Sequence, residues 1–344
     1  MLENKGRLEV SQMGKEELIK HLGEFFQLSN ASSLSGIEND ASVLAMGDQL
    51  TLATSTLAIE NVHFNLGYFP LKHLGYKTVA AAAADIVGMN GTPTQIRINI
   101  GASNRFSVDA LEEFTAGVKF CCERYGIDLV GLNITSSNTG LIIGAQMIGT
   151  VKEKELVQRE GAGENELICV SGDLAAAYTG LLILNREMQV FAVNPDQQPN
   201  LEGYEYIIER QLKPEPRVDV IEDLKQAGIL PTSMINVKNG LANALLHLCQ
   251  QSDCGCTIYE EKLPVDLLTF DTLKELKIVA TTIALNGGED YEVLFTIKQE
   301  DYEKIKSFKE ISVIGHITAA SAGKNLVTND QKLIELQAQG FQGE

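Results

Sequence analysis

The sequence predicts an α/β (α+β) protein in two domains, on three observations. Strand-like runs of period two alternate with helix-like runs whose apolar residues recur three and four apart. At 344 residues the chain is too long for one small core. A charged, glycine-containing interruption, KEKE followed by REGAGENE, divides the pattern near its middle. The expected domains are 1–151 and 152–344.

In the first half, VLAM (43–46) and QLTLATS (49–55) read as strands, and LKHLGYKTVAAAAADIVGMN (71–90) as a nearly all-apolar helix. RINIGA (97–102) is a strand, SVDALEEFTAGVKFCCERYG (107–126) a helix, and DLVGLNI (128–134) and GLIIGAQMIGTV (140–151) strands. The second half restarts with the strand ELICVSG (166–172) and the helix DLAAAYTGLLILNRE (173–187). NPDQQPNLEG (194–203) is a polar loop expected to face solvent, and YEYIIERQL and VDVIEDLKQAG are helices, the second after Pro214 and Pro216. Strands SMINV, CTIYEE, YEVLFTI and ISVIGHI then alternate with helices.

Composition narrows the function classes. Hydrophobic residues at 44% and charged residues at 22% are ordinary for a globular chain. A net charge of -18, with a pI near 4.8, repels phosphate backbones and anionic membranes, so neither nucleic acid nor membrane is expected as a partner. The mixed charges of MLENKGRLEV do not suit a signal peptide, and no uninterrupted apolar run is long enough for a membrane span, so the expected location is cytoplasmic. Six cysteines without a C-x-x-C pair read as buried or incidental thiols, with a zinc role for Cys249, Cys254 and Cys256 the less favoured alternative.

Common catalytic patterns are missing: no GxxxxGK[ST], no GxGxxG after a strand, no HExxH and no GxSxG. Polar residues instead collect beside apolar strands in GIENDASVL (36–44), TSTLAIENVHF (54–64), GLNITSSNTG (131–140), MINVKNGL (234–241) and LNGGEDYEVLF (285–295). In MINVKNGL a strand runs into a helix with Asn239 at the expected N-cap, a geometry that aims backbone N–H groups at a ligand. Taken singly, each stretch also has a plain structural reading. Gly36 to Asp40 suits a surface turn, Asp85 a buried acid satisfied by local donors, His63 a packed or partly exposed histidine, and GGEDYE a glycine turn entering a strand.

Together and in order, these segments resemble the thiamine-monophosphate kinase family of the aminoimidazole ribonucleotide synthetase superfamily. The resemblance spans essentially the whole chain. It is carried by VHF (62–64), Asp85-Ile86, YGIDLVG (125–131), VSGDL (170–174), LKPEPR (212–217), ILPTSM (229–234), GGEDYE (287–292) and AQGF (338–341). It implies a two-domain fold whose N-terminal domain holds the ATP and metal site and contributes to a dimer β-barrel. It also implies transfer of the γ-phosphoryl group of ATP to thiamine monophosphate, giving thiamine diphosphate with Mg²⁺ ions and no Walker loop. Two phosphorylated anions must meet in such a reaction, so divalent cations are needed to cancel repulsion and align the transfer.

The sequence departs from that pattern at its acids. The family's GxGDD turn is here Gly36 to Asp40, with Asn39 in place of the first carboxylate. Its TTD triplet ends in Thr56, its GGDT turn carries Asn133, and its DISDG turn is Asn236-Val237-Lys238-Asn239-Gly240. Five acids become neutral and a serine becomes lysine, a local change of about six charge units. Thr115 stands at an aromatic position beside ATP, and Phe341 at a tryptophan position beside the thiamine ring.

Other family positions persist. The resemblance implies catalytic and metal roles for Asp40 and Asp85, substrate contacts for His63, Glu289 and Phe341, and nucleotide or phosphate contacts for Arg159, Lys238, Asn133 and Asn239. Glu60 and Asp290 also match. Three functional readings follow: a homologue with lost or much reduced Mg²⁺-dependent transfer that still binds a phosphorylated ligand, an active kinase using fewer metals, or a non-catalytic partner of an active homologue. The assembly implied is a homodimer or, in the last case, a heterodimer.

Overall fold

The computed structural model describes residues 14–338. A helix α1 (Lys15–Gly23) precedes strands β1 (Ser33–Ser35), β2 (Ser42–Ala45) and β3 (Leu50–Ile59). Helix α2 (Leu71–Val87), β4 (Thr92–Ala102), α3 (Val108–Tyr125), β5 (Asp128–Ser136) and β6 (Ile142–Val151) complete the first half. These six strands form one sheet in the order β1-β2-β3-β6-β4-β5, with only β4 and β5 parallel, joined by the crossover helix α3.

The second half begins with β7 (Leu167–Ser171) and the helices α4 (Ala176–Val193), α5 (Glu205–Leu212) and α6 (Val218–Gln226). Next come β8 (Ser233–Val237), α7 (Leu241–Gln251) and β9 (Cys254–Tyr259), then α8 (Leu267–Glu275) and α9 (Ala280–Asn286). The chain continues through β10 (Glu292–Ile297), α10 (Tyr302–Ile305), β11 (Ile311–Ala319), β12 (Lys324–Val327) and β13 (Leu333–Glu335). Their sheet has the order β13-β12-β9-β11-β7-β10-β8, so GGEDYE enters the strand beside the MINVKNGL strand. The mixed α/β class expected from the periodicity is present.

Helix α2 is the pivot of the first half. Its apolar run, from Leu74 to Val87, is buried against the sheet and α3. Small residues allow the close approach: a Cβ added at Gly75 or Gly117 would collide with backbone of the facing helix. The tightness fixes the two charged side chains that α2 carries into the interior, Lys77 and Asp85.

Several boundaries differ from the sequence reading. Strand β3 runs on to Ile59, so Thr54, Ser55 and Thr56 lie within a strand and not at its end. Strand β4 starts at Thr92 and passes Pro93 through a register shift, a break that tolerates the missing N–H. Asn133 lies inside β5, within the stretch 128–134 read as a strand. The N-cap of α7 is Gly240, at φ 92°, not Asn239, which is exposed. The chain turns so sharply there, with the Lys238 carbonyl accepting the Glu289 N–H at 2.7 Å, that a glycine conformation is required before the helix starts. Helix α4 begins at Ala176 because Asp173 is drawn into contacts with Tyr206 and Arg210, and Ala175 takes a left-handed conformation.

Candidate functional site

The two halves meet where α2 ends. Asp85, 1% exposed, points from α2 toward strand β8 of the second sheet. One carboxylate oxygen accepts from the Asn236 amide at 2.9 Å and the Lys238 ammonium at 3.2 Å. The other accepts from Lys238 at 3.1 Å and the Thr54 hydroxyl at 3.2 Å. Asp40, in the turn before β2, accepts from the Arg159 guanidinium at 2.6 Å and from the backbone N–H of Asn236 at 2.9 Å. The Arg159 backbone N–H donates to the Asn39 side-chain oxygen at 3.2 Å, and its guanidinium donates to the Glu38 carbonyl. Six of the residues singled out in the sequence, Asn39, Asp40, Asp85, Arg159, Asn236 and Lys238, thus converge from four separate segments.

Electrostatics at this joint are dominated by two ion pairs in a poorly solvated setting. Burial pushes the Asp85 carboxyl up; Lys238 pulls against that rise, Asp40 adds to it, and the Asn236 hydrogen bond opposes it. Burial also works against the Lys238 ammonium, yet the Asp85 and Asp40 carboxylates hold its pKa above the ordinary lysine value. We take the pair as ionised, because the ammonium touches both oxygens and Asn236 and Thr54 supply further donors. Removing one member of such a pair leaves a buried charge without its counter-ion, typically costing about 3–5 kcal/mol.

All four oxygens of the two surviving acids already accept protein donors. Among the described residues, no group of three or more His, Cys, Asp or Glu side chains is placed to hold a metal ion. All six cysteines are buried, as the sequence suggested. Two buried polar atoms at the joint, Asn236 Oδ1 and Arg159 Nε, have no hydrogen-bond partner among the described residues.

The remaining candidates are scattered around this centre. Glu289 accepts from Lys77 at 3.0 Å and Gln211 at 3.2 Å, and its own N–H is bound to the Lys238 carbonyl, so it abuts the same turn. His63 is exposed, its Nδ1 accepting the Ile59 N–H within a tight turn. Asn133 is exposed on β5, in register with Asn99, and Thr56 is half-buried on β3; neither side chain is among the hydrogen-bond partners of Asp40 or Asp85. Phe341 lies outside the described residues. A groove of about 640 Å³ on the first sheet is lined by uncharged residues, including Ser55, Asn99, Asn138 and Gln146, and contains none of the acids.

Lys77 was missed in the sequence, and Thr54 stood there only as the first residue of the TST triplet. Lys77 had a signal: it is the one cation inside the otherwise apolar stretch LGYKTVAAAAAD, and its ammonium, 7% exposed as a residue, also donates to the Gln211 carbonyl at 2.7 Å. A buried lysine needs such partners, and here they are supplied by the second half. Asp290 accepts backbone N–H groups of Ala175 and Ala177 at the start of α4, while Glu292 pairs with both Arg210 and Arg217. The motifs VSGDL, LKPEPR and GGEDYE therefore meet in one buried charge network beside the joint.

Residues 38–151 match the family model described as AIR synthase related protein, N-terminal domain. A thiamine-monophosphate kinase of Buchnera aphidicola subsp. Schizaphis graminum is 28% identical over 326 residues, covering 92% of this chain and 95% of its own. That of Bacillus subtilis is 27% identical over 314 residues, covering 89% and 92%. Among solved structures, AaThiL complexed with AMPPCP and TMP superposes with a TM-score of 0.81 at 25% identity, covering 96% of this chain and 97% of that one. The order of motifs, the two sheets and these full-length similarities agree: along nearly its whole length the chain is similar to thiamine-monophosphate kinases, and its first half carries the AIR synthase related N-terminal domain.

Proposed function

We propose that this thiamine-monophosphate kinase-like protein has lost, or strongly reduced, Mg²⁺-dependent phosphoryl transfer while keeping a site for a phosphorylated ligand. The carrying observation is the engagement of Asp40 and Asp85, whose four oxygens are taken by Arg159, Lys238, Asn236 and Thr54. Mg²⁺ requires hard, largely anionic oxygen ligands in near-octahedral geometry. Two carboxylates already neutralised by fixed cations, among Asn39, Asn236 and Asn239, do not fit that requirement.

The chain's own residues suit binding better than transfer. Lys238 keeps 38% of its side chain exposed while paired to Asp85, so its ammonium retains a face for an anion. Arg159 Nε and Asn236 Oδ1 offer an unpaired donor and acceptor nearby. A solved relative complexed with AMPPCP and TMP supports ATP and thiamine monophosphate, or related phosphorylated small molecules, as the ligand class. In this reading residues 1–151 form the nucleotide-side and dimerisation domain, and 152–344 close the site. His63, Glu289 and Phe341 contact the substrate, with Arg159, Lys238, Asn133 and Asn239 on the phosphate side. The role of Asn133, exposed on the edge strand β5, rests on the resemblance.

A second reading has its own observation. Strand β5 is a nine-residue sheet edge with Val130, Leu132 and Ile134 each more than half exposed. An apolar edge of that length is a natural pairing surface, which favours a homodimer or a heterodimer with an active homologue. An active kinase with fewer metals draws its support from the relatives alone.

The deciding experiment is single-turnover formation of thiamine diphosphate, with protein in excess over thiamine monophosphate, ATP present, and Mg²⁺ or EDTA added. No product from folded protein, beside an active homologue as control, is the expected result. Clear Mg²⁺-dependent product would overturn the proposal.

A further inference from the structure

We propose that Lys238 is a built-in replacement for a divalent cation, joining the acid of α2 to the β8–α7 turn and excluding metal from that joint. The inference rests on the reading of the site as one where metal-dependent transfer has been lost, and it names the residue responsible.

The geometry is that of a bridging cation. The Lys238 ammonium touches both oxygens of Asp85, at 3.1 and 3.2 Å, and the two residues are 153 positions apart in sequence. Arg159 does the same work for Asp40. Two carboxylates from the first half are thus matched by two cations from the second, so the joint is neutral without any ion from solution. A metal would have to displace an ammonium that is tethered to the chain and cannot diffuse away. The two halves also pack closely here: a Cβ added at Gly88, at the end of α2, would stand 2.9 Å from both the Asn236 nitrogen and an Asp40 oxygen. The orphaned Asn236 Oδ1 lies on the side of that amide away from Asp85, so the residue at an acidic family position now serves as a donor to the acid instead of a second ligand beside it.

The test uses Mn²⁺ alone, without nucleotide, followed by electron paramagnetic resonance on the full chain. Three proteins are compared: the unaltered one, the double variant Asn236→Asp, Asn239→Asp, and the triple variant that adds Lys238→Ser. The triple variant is expected to bind Mn²⁺ at least about tenfold more tightly than the double variant, and the unaltered protein not to bind. Binding by the unaltered protein, or equal affinity in the double and triple variants, including none in either, would overturn the proposal. A second measurement stands if the triple variant does not fold. Lys238→Ser alone is expected to lower the melting temperature by about 5–10 °C, and an unchanged melting temperature would refute the bridging role. Neither readout involves turnover, so thiamine diphosphate formation would sink the functional reading separately.

Discussion

Glu292→Gln probes the charge network behind the site. Glu292 is 1% exposed and accepts from the Arg210 guanidinium at 2.8 Å, from Arg217 and from the Ser171 hydroxyl. The substitution keeps shape but removes the negative charge between two guanidiniums whose side chains are themselves only 13% and 7% exposed. Breaking a buried pair typically costs about 3–5 kcal/mol. Each arginine keeps another partner, Asp173 for Arg210 and Asp219 with Glu310 for Arg217, which places the expected loss near the lower end, about 3 kcal/mol. At about 2–4 °C per kcal/mol for domains of this size, the melting temperature should fall by roughly 6–12 °C. Urea unfolding with an unchanged m-value gives the free energy directly. A loss below about 1 kcal/mol, the level of a surface ion pair, would refute the idea that Glu292 is the counter-ion of both arginines. A double variant, Arg217→Met with Glu292→Met, should be less damaging than Glu292→Gln, since it removes a charge of each sign together.

Further predictions concern the same interior. Burial pushes the Asp290 carboxyl from 3.8 up to about 7, with Arg210 and the Ala175 N–H opposing the rise. The folded state therefore holds this proton more tightly than the unfolded chain, so its stabilising contribution is complete below the unfolded value and is lost as pH rises to about 7. The loss is at most about 4 kcal/mol. Urea unfolding between those limits should show stability falling with pH, and Asp290→Asn should flatten the trend; burial pulls the His73 pKa down and works in the opposite sense, so the difference between the two proteins is the quantity to read. Gly117→Ala should destabilise by about 1–3 kcal/mol or more, because the added methyl meets backbone of α2; a neutral result by thermal melting would mean the helices can separate freely. Finally, ATP or thiamine monophosphate should raise the melting temperature equally with Mg²⁺ and with EDTA, and a shift that vanishes in EDTA would contradict a metal-free site.

Much of the fold was legible because local periodicity carries it. The long apolar helix around Asp85 and each strand read from the alternation have counterparts in the fold, with end-point errors traceable to local chemistry, while the short strands β1, β12 and β13 were not read. Pro93 masked the start of β4, since a proline argues against a strand unless a register shift absorbs it. Asn239 has the chemistry of a cap, but the turn needs a positive φ that Gly240 provides at no steric cost. The site was legible only as a set of residues. Asp85 was visible as an acid in an apolar helix, and Lys238 as a cation among amides, yet nothing in either neighbourhood announces that the two meet across 153 positions. Lys77 illustrates the same gap, because its partners Glu289 and Gln211 belong to the other half of the chain. Asn133 illustrates the reverse: motif position groups it with the other replaced acids, while β5 carries it to an exposed edge.

The ion pair between Lys238 and Asp85 changes how the joint between the two halves responds to its surroundings. A metal held between carboxylates is on loan from solution, and its occupancy tracks the free concentration of that ion. A side chain delivered by its own backbone has an effective concentration set by geometry, with no dilution that can empty it. A metal-bridged joint therefore doubles as a gauge of cellular magnesium. One bridged by lysine is deaf to it and keeps the same charge balance through every fluctuation.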